Sequence, residues 1–517
     1  MTQGSTSVDD ESNTTLSAGI SGGGPAASGA RTSLRGFLWT TLSFGSNKVA
    51  VLGLTILLAR LLTPADFGVV TAALTIITML DAALDLGVGA AVVTAQERGI
   101  TRRTRAAMTL NLAISALIAG IGIALSPWIA QLFDAAAYDS IFALLFCYPL
   151  FRGAGQISDA VLKRDLRFRQ RTVVDVVRAV ARVAVSVPLA LTVGGPITIA
   201  LGIVASEFAA MLLLWALVPI RPGRVDGPTA RSLLSFGGQI TVIRTLGSLR
   251  AGFDYLVVGA VLGATALGVY GMAYKLPELG IENILWIFSM VALPTYARAL
   301  AVGRDTLISA MLRATRLLSI YGLGVGVALA VVARDAVPVI FSTQWDPAVL
   351  PMMLISVSLG LMSVGWASGD VFAVLGRLRV LLWLDIPATG VTIVMFVLAP
   401  TWGLIGVAAV HLVFNFAYAV ARLALVHRVL DVRVAVLART VAPALAVAAT
   451  TAAVGFGARA LLPTGGLGSL VLLSLATGAA LAGASLIFAR SELSGVVRSV
   501  LPDRPTRNRR AVVQRTG

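Results

Sequence analysis

The chain is a succession of apolar stretches of about 20 residues or more, separated by short polar connections. The stretches are apolar on nearly every face, without the alternation over about ten residues that a barrel strand requires. Only helices and closed barrels satisfy every backbone polar group in lipid, and about 20 apolar residues of helix cross a hydrocarbon core. The pattern therefore predicts helical spans at 37–61, 66–90, 106–132, 139–161, 172–194 and 197–220. After a polar break at 221–230 it predicts 231–261, 265–296, 308–331, 347–372, 377–399 and 402–427. Two more follow at 434–460 and 466–489. The expected fold class is an all-α polytopic membrane protein of about 14 transmembrane helices.

Charge in the connections alternates. The second holds Arg98, Arg102, Arg103 and Arg105, and the fourth holds Lys163, Arg164, Arg167, Arg169 and Arg171. Later even-numbered connections carry Arg221, Arg224, Arg298, Arg304, Arg377, Arg379, Arg428 and Arg433. The odd-numbered ones are short and nearly free of positive charge, with Arg334 the main exception. Basic residues in short loops stay on the cytoplasmic side, so both termini are expected there. Residues 1–30 are rich in Ser, Gly, Thr and Ala and lack an apolar core, which predicts a disordered tail rather than a signal peptide. A basic tail occupies 491–517.

An internal repeat shows through this pattern. LLTPADFGVVTAA at 61–73 aligns without gaps on VLGATALGVYGMA at 261–273, pairing Leu62 with Leu262, Gly68 with Gly268, Val69 with Val269 and Ala73 with Ala273. Gly195 to Ala200 likewise resembles Gly403 to Ala408. The matched connections lie six spans apart, and an even number preserves orientation. Parallel repeats are related by an axis along the membrane normal. The expected domains are a six-helix bundle at 31–220, a second at 221–430 and two added helices at 431–490, with a central cleft between the bundles.

Composition sharpens this. Hydrophobic residues make up 57% and charged residues 13%, where a soluble domain carries about 25% charged residues; the mean hydropathy is +0.88. The net charge of +16 is accounted for by the basic connections, so nucleic acid is not an expected partner. Cys147 stands alone, which excludes an internal disulfide, and His411 and His427 are the only histidines. A zinc enzyme or a histidine triad is not expected on so few ligands.

Ionisable side chains inside spans cost roughly 2.5–3.5 kcal/mol each on insertion scales, yet this chain holds many. The candidate cleft cations are Lys48, Arg182, Arg244, Arg250 and Lys275. The candidate acids, for charge balance or for coupling to H⁺ or Na⁺, are Asp85, Glu207, Asp254, Glu278, Glu282 and Asp385. Spacings of three, four and seven share a helix face, which groups Asp175, Arg178 and Arg182, and separately Lys275, Glu278 and Glu282. Structural alternatives stand beside these roles. Asp175 and Arg178 are placed to pair locally or snorkel, Arg250 and Asp254 to form an i, i+4 pair, Asp81 and Asp85 to sit where the second span ends, and His411 to be a hydrogen-bonded packing residue. Buried cations suit an anionic cargo, since phosphate oxygens accept strong charge-assisted bonds. No G-x-x-x-x-G-K-[ST] phosphate loop is present.

Several stretches resemble the polysaccharide (O-antigen/exopolysaccharide) flippase family of the multidrug/oligosaccharidyl-lipid/polysaccharide exporter superfamily. They are LARLLTPADFGVVTAALTII (58–77), LDLGVGAAVVT (84–94), LKRDLRFRQR (162–171), SLRAGFDYLVVGAVLGATALGVYGMAYKLPEL (248–279), ALPTYARA (292–299) and AVLGRLRVLLWLDIPATGV (373–391). The resemblance covers residues 33 to 430 and includes span number and order. It implies a transporter, not an enzyme, that moves a lipid-pyrophosphate-linked oligosaccharide across the bacterial plasma membrane. It implies two six-helix bundles around a cationic cleft, and glycosyltransferases and a polymerase of the same pathway as partners. It also sets the family's seventh-span aspartate on Asp254 and its eighth-span polar position on Lys275. A peptidoglycan-precursor flippase or a drug/cation antiporter of the same superfamily is the alternative. A membrane polymerase or glycosyltransferase is the rival from another class, and the short external connections count against it.

Overall fold

The computed structural model describes residues 50–84, 101–462 and 466–488, and within them all side chains except those at 81–84, 229, 230, 232–246 and 250. The two terminal tails, Lys48 and Asp85 lie outside the described residues, as do the side chains of Asp81, Arg244 and Arg250.

Fourteen helical segments follow one another among the described residues. α1 is Ala50–Leu61, α2 Pro64–Leu84 and α3 Arg102–Leu132. α4 comprises Asp139–Leu145 continued by Cys147–Arg164. α5 is Phe168–Thr192 and α6 is Ile197–Leu217. The run Gly227–Pro277 is broken at Gly263, whose φ of 84° is non-helical and open to glycine; α7 is 227–262 and α8 is 264–302. α8 contains a π turn, Glu278–Glu282, before its last stretch Asn283–Val302. α9 is Arg304–Ile340, α10 Val349–Val374, α11 Leu378–Leu398 and α12 Gly403–Leu430. α13 is Val434–Leu461 and α14 is Leu467–Phe488. Where both lie in the described residues, the predicted spans coincide with these helices to within about six residues at each end, except that α9 runs on to Ile340 against a predicted 331; the start of the first span and the end of the second lie outside the described residues. α9, at 37 residues, is about 55 Å long and extends well beyond a hydrocarbon core of about 30 Å.

Local chemistry sets the boundaries. Thr63 and Asp66 form a reciprocal cap at the start of α2: the Asp66 carboxylate accepts from Thr63 N at 2.8 Å, and Thr63 Oγ1 accepts from Asp66 N at 3.3 Å. Pro64 occupies the first helical position, where a missing N–H costs nothing. α4 and α10 end in the same way. Arg167 N donates to Leu162 O and Arg377 N donates to Phe372 O, both at 2.9 Å, around a left-handed residue that is Leu166 in one and Gly376 in the other.

The predicted repeat has a physical counterpart where the halves meet. A Cβ added to Gly68 would lie 1.7 Å from Ala264 O, and one added to Gly268 would lie 2.0 Å from Pro64 O. Pro64 and Ala264 are themselves a repeat pair, so the contact is reciprocal, as a two-fold relation demands. Gly195 and Gly403, the other matched pair, both have left-handed backbone.

α1–α6 and α7–α12 form the two bundles, and α13 and α14 pack against α9. Asp335 of α9 is held there by Arg459 of α13 at 3.3 Å. Among the described residues, links between the bundles concentrate at the side away from the basic connections, where only a long Arg102–Asp226 pair at 3.6 Å reaches the start of α7. Gln344 Nε2 donates to Ala59 O at 2.7 Å, and Trp345 Nε1 donates to the same carbonyl at 2.8 Å. The Arg60 guanidinium donates to Val339 O and Ile340 O, and Ala264 N donates to Phe133 O. On the basic side, Arg304 and Arg377 both reach Val429 O within the second bundle, and Thr109 bonds Gly223 at the end of the first. The cleft is thus sealed across the bundles at its far side.

Candidate functional site

Two adjoining cavities occupy the cleft, sharing Ala251 of α7 and Trp286 of α8 in their walls. The larger, about 700 Å³, lies on the first bundle and is lined by Arg152, Gln156, Asp159, Lys163, Arg178 and Glu207 among others. Asp159 is clasped by Lys163 Nζ at 2.7 Å and by Arg171 Nε at 3.0 Å. Arg178 reaches Asp175 through Nη1 and Glu207 through Nε, both at 2.8 Å. Glu207, 3% exposed, therefore serves as counter-ion to an arginine at the cavity wall. The basic groups that line this cavity outnumber its acids by three to two, and all sit on α4 and α5.

The second cavity, about 430 Å³, is different in kind. Its walls carry Tyr255, Tyr274, Trp286, Trp366, Phe414 and Tyr418, with Asp254, Glu278, Glu282, Asn415 and Arg422 between them. Asp254 is 3% exposed. Its Oδ2 accepts from Tyr270 Oη at 2.7 Å and lies 3.1 Å from His411 Nε2. Tyr270 Oη is also 2.8 Å from His411 Nε2, and Tyr274 Oη is 3.0 Å from it. Arg422 stacks over the Tyr418 ring at 5.2 Å, and its Nε and Nη1 are buried without a hydrogen-bond partner. Gly365 and Gly369 leave room for it: a Cβ on Gly369 would stand 3.2 Å from Arg422 Nη2.

The residues named from sequence distribute as follows. Glu207 lines the first cavity, and Asp254, Glu278 and Glu282 line the second. Asp385 stands behind the second, accepting from the Tyr418 hydroxyl. Arg182 lines neither; it points into a pocket of about 160 Å³ against Ala50 and Leu54 of α1, with Nε buried and without a hydrogen-bond partner. Lys275 is exposed and lines neither cavity, so it does not share a face with Glu278 and Glu282 as uniform α spacing predicts. The π turn inserts one residue, which brings Tyr274 into line with Glu282 and swings Lys275 away. Arg178 pairs locally, as one alternative had it, but also crosses to α6.

Sequence reasoning missed Arg152, Gln156, Lys163 and Arg422 and nearly all the aromatic lining. One signal was available. His411, Asn415, Tyr418 and Arg422 follow steps of four, three and four, a polar stripe down one face of α12.

Two bundles around a cleft sealed at one side, with two appended helices, form a multi-pass membrane transporter fold. Residues 57–350 match the family described as "Polysaccharide biosynthesis protein", and the chain belongs to that family. It is 22% identical over 340 residues to the teichuronic acid biosynthesis protein TuaB of Bacillus subtilis, covering 64% of this chain and 69% of TuaB. It is 22% identical to the lipopolysaccharide biosynthesis protein WzxC of Escherichia coli, covering 67% and 71% of the two chains. With the succinoglycan biosynthesis transport protein ExoT of Rhizobium meliloti it shares 26% identity over 65% and 67%. In fold it is similar to the lipid II flippase MurJ in an inward closed conformation, at a TM-score of 0.73 and 11% identity, over 88% of this chain and 99% of MurJ. An inward-facing multidrug resistance MATE transporter superposes with a TM-score of 0.62 at 17% identity, over 74% and 94%.

Proposed function

We propose that this protein is a flippase that carries a lipid-pyrophosphate-linked oligosaccharide across a bacterial cytoplasmic membrane for cell-surface polysaccharide synthesis. The observation that carries this is the pairing of two unlike cavities in one cleft sealed at its far side. The basic cavity offers Arg152, Lys163 and Arg178 to an anion, and guanidinium forks match phosphate oxygens. The aromatic cavity beside it suits a saccharide, whose C–H faces pack on ring faces while its hydroxyls meet Asn, Glu and Asp. The lipid tail stays in the bilayer, and the bundles rock between two states by alternating access. The relatives' names, which speak of teichuronic acid, lipopolysaccharide and succinoglycan, support a surface-polysaccharide cargo.

On this reading the protein catalyses no covalent step, and both termini face the cytoplasm with the arginine-rich connections. An H⁺ or Na⁺ gradient drives the cycle, and the polymerase and glycosyltransferases of the pathway are its functional neighbours. The test uses sealed proteoliposomes containing a fluorescent undecaprenyl-pyrophosphoryl saccharide, with an impermeant quencher reporting the outer leaflet. Transfer between leaflets that requires the protein, and that is lost in Lys163→Gln with Arg178→Gln, is the expected result. Transfer no faster than in protein-free vesicles would overturn the reading.

A further inference from the structure

The four-residue cluster at the back of the aromatic cavity joins three helices through polar groups alone. Asp254 comes from α7, Tyr270 and Tyr274 from α8, and His411 from α12. Each is deep in an apolar bundle, where a polar group without a partner is costly. A packing role would be met by an amide or a hydroxyl. The cluster instead sets an imidazole, the side chain that ordinarily changes charge between pH 5 and 8, against a carboxylate.

The geometry gives both ring nitrogens of His411 a partner, Nδ1 lying 3.2 Å from Tyr274 Oη. Asp254 Oδ2 takes the Tyr270 hydroxyl at 2.7 Å and has His411 Nε2 at 3.1 Å. A hard cation such as Na⁺ is held by a shell of oxygens, but here a ring nitrogen faces the carboxylate where such an ion would sit. Around His411 the other groups are known from each neighbouring helix. α7 adds Tyr255, α8 adds Tyr274 with Glu278 and Glu282 farther along the same cavity, and α11 adds the apolar ring of Phe396, 4.8 Å away between centroids. On α12 itself, Asn415 donates to Ser358 of α10 at 2.8 Å, and Arg422 lies farther along on Tyr418. Asp254 is the acid that meets the imidazole directly.

We propose that Asp254, Tyr270, Tyr274 and His411 form a proton-binding site in which His411 takes up the proton and Asp254 pairs with the resulting imidazolium. The balance is simple: one H⁺ enters from water in the cleft, the ring becomes a donor at both nitrogens, and no covalent bond between heavy atoms changes. Uptake turns the contact of the Asp254 carboxylate with a neutral imidazole, net charge −1, into an ion pair of no net charge, and draws α12 onto α7 and α8. His411 and Tyr274 both line the aromatic cavity, so the same movement narrows the space that the saccharide occupies. This deepens the flippase reading by naming H⁺ as the coupling ion and His411 as its seat, and it rests on that reading for its purpose.

The chain has two histidines, which makes the site directly observable. The full-length protein is labelled at histidine with ¹³C and ¹⁵N, placed in lipid nanodiscs and followed by NMR from about pH 5 to about pH 9. His427→Asn assigns the remaining signal to His411. The expected result is a His411 resonance that reports a change of protonation state within this range, with a profile that Asp254→Asn alters because the partner charge is gone. Tyr270→Phe, which keeps both charged partners, keeps the profile of the parent. Replacing choline with about 0.15 M sodium leaves the midpoint unmoved. A His411 ring held in one protonation state across the range, a midpoint indifferent to Asp254→Asn in folded protein, or one displaced by sodium would each overturn the proposal. No cargo is present, so failure here leaves the flippase reading untouched, and failure of lipid transfer leaves the titration untouched.

Discussion

Arg178 stands between two acids, one on its own helix and one across the α5–α6 interface. Removing one member of a buried ion pair costs about 3–5 kcal/mol, because the other charge stays behind without its partner, whereas replacing both by apolar groups is often neutral. Arg178→Ala is therefore expected to lower the melting temperature substantially. Arg178→Met combined with Glu207→Leu should recover most of that stability and still fail to move lipid-linked saccharide in vesicles. A stable double variant with normal transfer would reduce the pair to a packing device. The acids of the site were legible in the sequence because Glu207 and Asp254 interrupt apolar runs. Tyr274, Trp286 and Trp366 were not, because an aromatic ring in a membrane helix has the same sequence signature whether it packs on a neighbour or faces a cavity. Arg152 and Lys163 were masked differently. Lys163 stands beside the loop arginines that set topology, and its reach back into the cleft depends on the clasp around Asp159.

At the scale of the helix, the fourteen segments could be read directly, and α8 shows where such reading stops. Its π turn changes which side chains face the cleft, and nothing in hydropathy marks it. Two side chains answer for the disturbed backbone: Asn283 Nδ2 donates to Glu278 O at 3.0 Å, and the Tyr321 hydroxyl of α9 donates to Gly280 O. Inserting one Ala after Gly280 adds a residue beyond the one the π turn absorbs and puts Tyr274 and Glu282 on different faces, about 100° apart. We expect the inserted protein to reach the membrane at near-normal levels and to lose transfer by about tenfold or more. Gly280→Ala keeps the residue count, and its Cβ meets Leu329 at an ordinary 3.5 Å, so it should transport normally. Equal activity of the two variants would show that the alignment is incidental.

At the scale of the molecule the deciding feature is the set of far-side links between the bundles among the described residues. The far-side contacts through Arg60, Gln344 and Trp345 surround the place where α2 and α8 cross at Gly68 and Gly268. Any side chain at either glycine drives a Cβ into a backbone carbonyl, which no rotamer relieves. Gly268→Leu should therefore hold the far side apart. In a Cys147→Ser background with Ser248→Cys in the cleft, an impermeant thiol reagent applied from the far side should label about tenfold faster in Gly268→Leu than in the parent. An unchanged rate would mean that the seal lies elsewhere. The repeat was visible in the sequence as matched letters, but matched letters do not say that the two copies touch each other.

That they do touch has a consequence for the ancestry of such a chain. Had the halves once been separate identical subunits, any change at this crossing would have struck the seam twice, once from each partner. Joined in one gene, the two positions can be altered one at a time. On such a history fusion would free the rest of the two bundles to diverge, and here one presents arginine and lysine where the other presents tyrosine and tryptophan. Asymmetry of contents is then compatible with a crossing that stays in pairs.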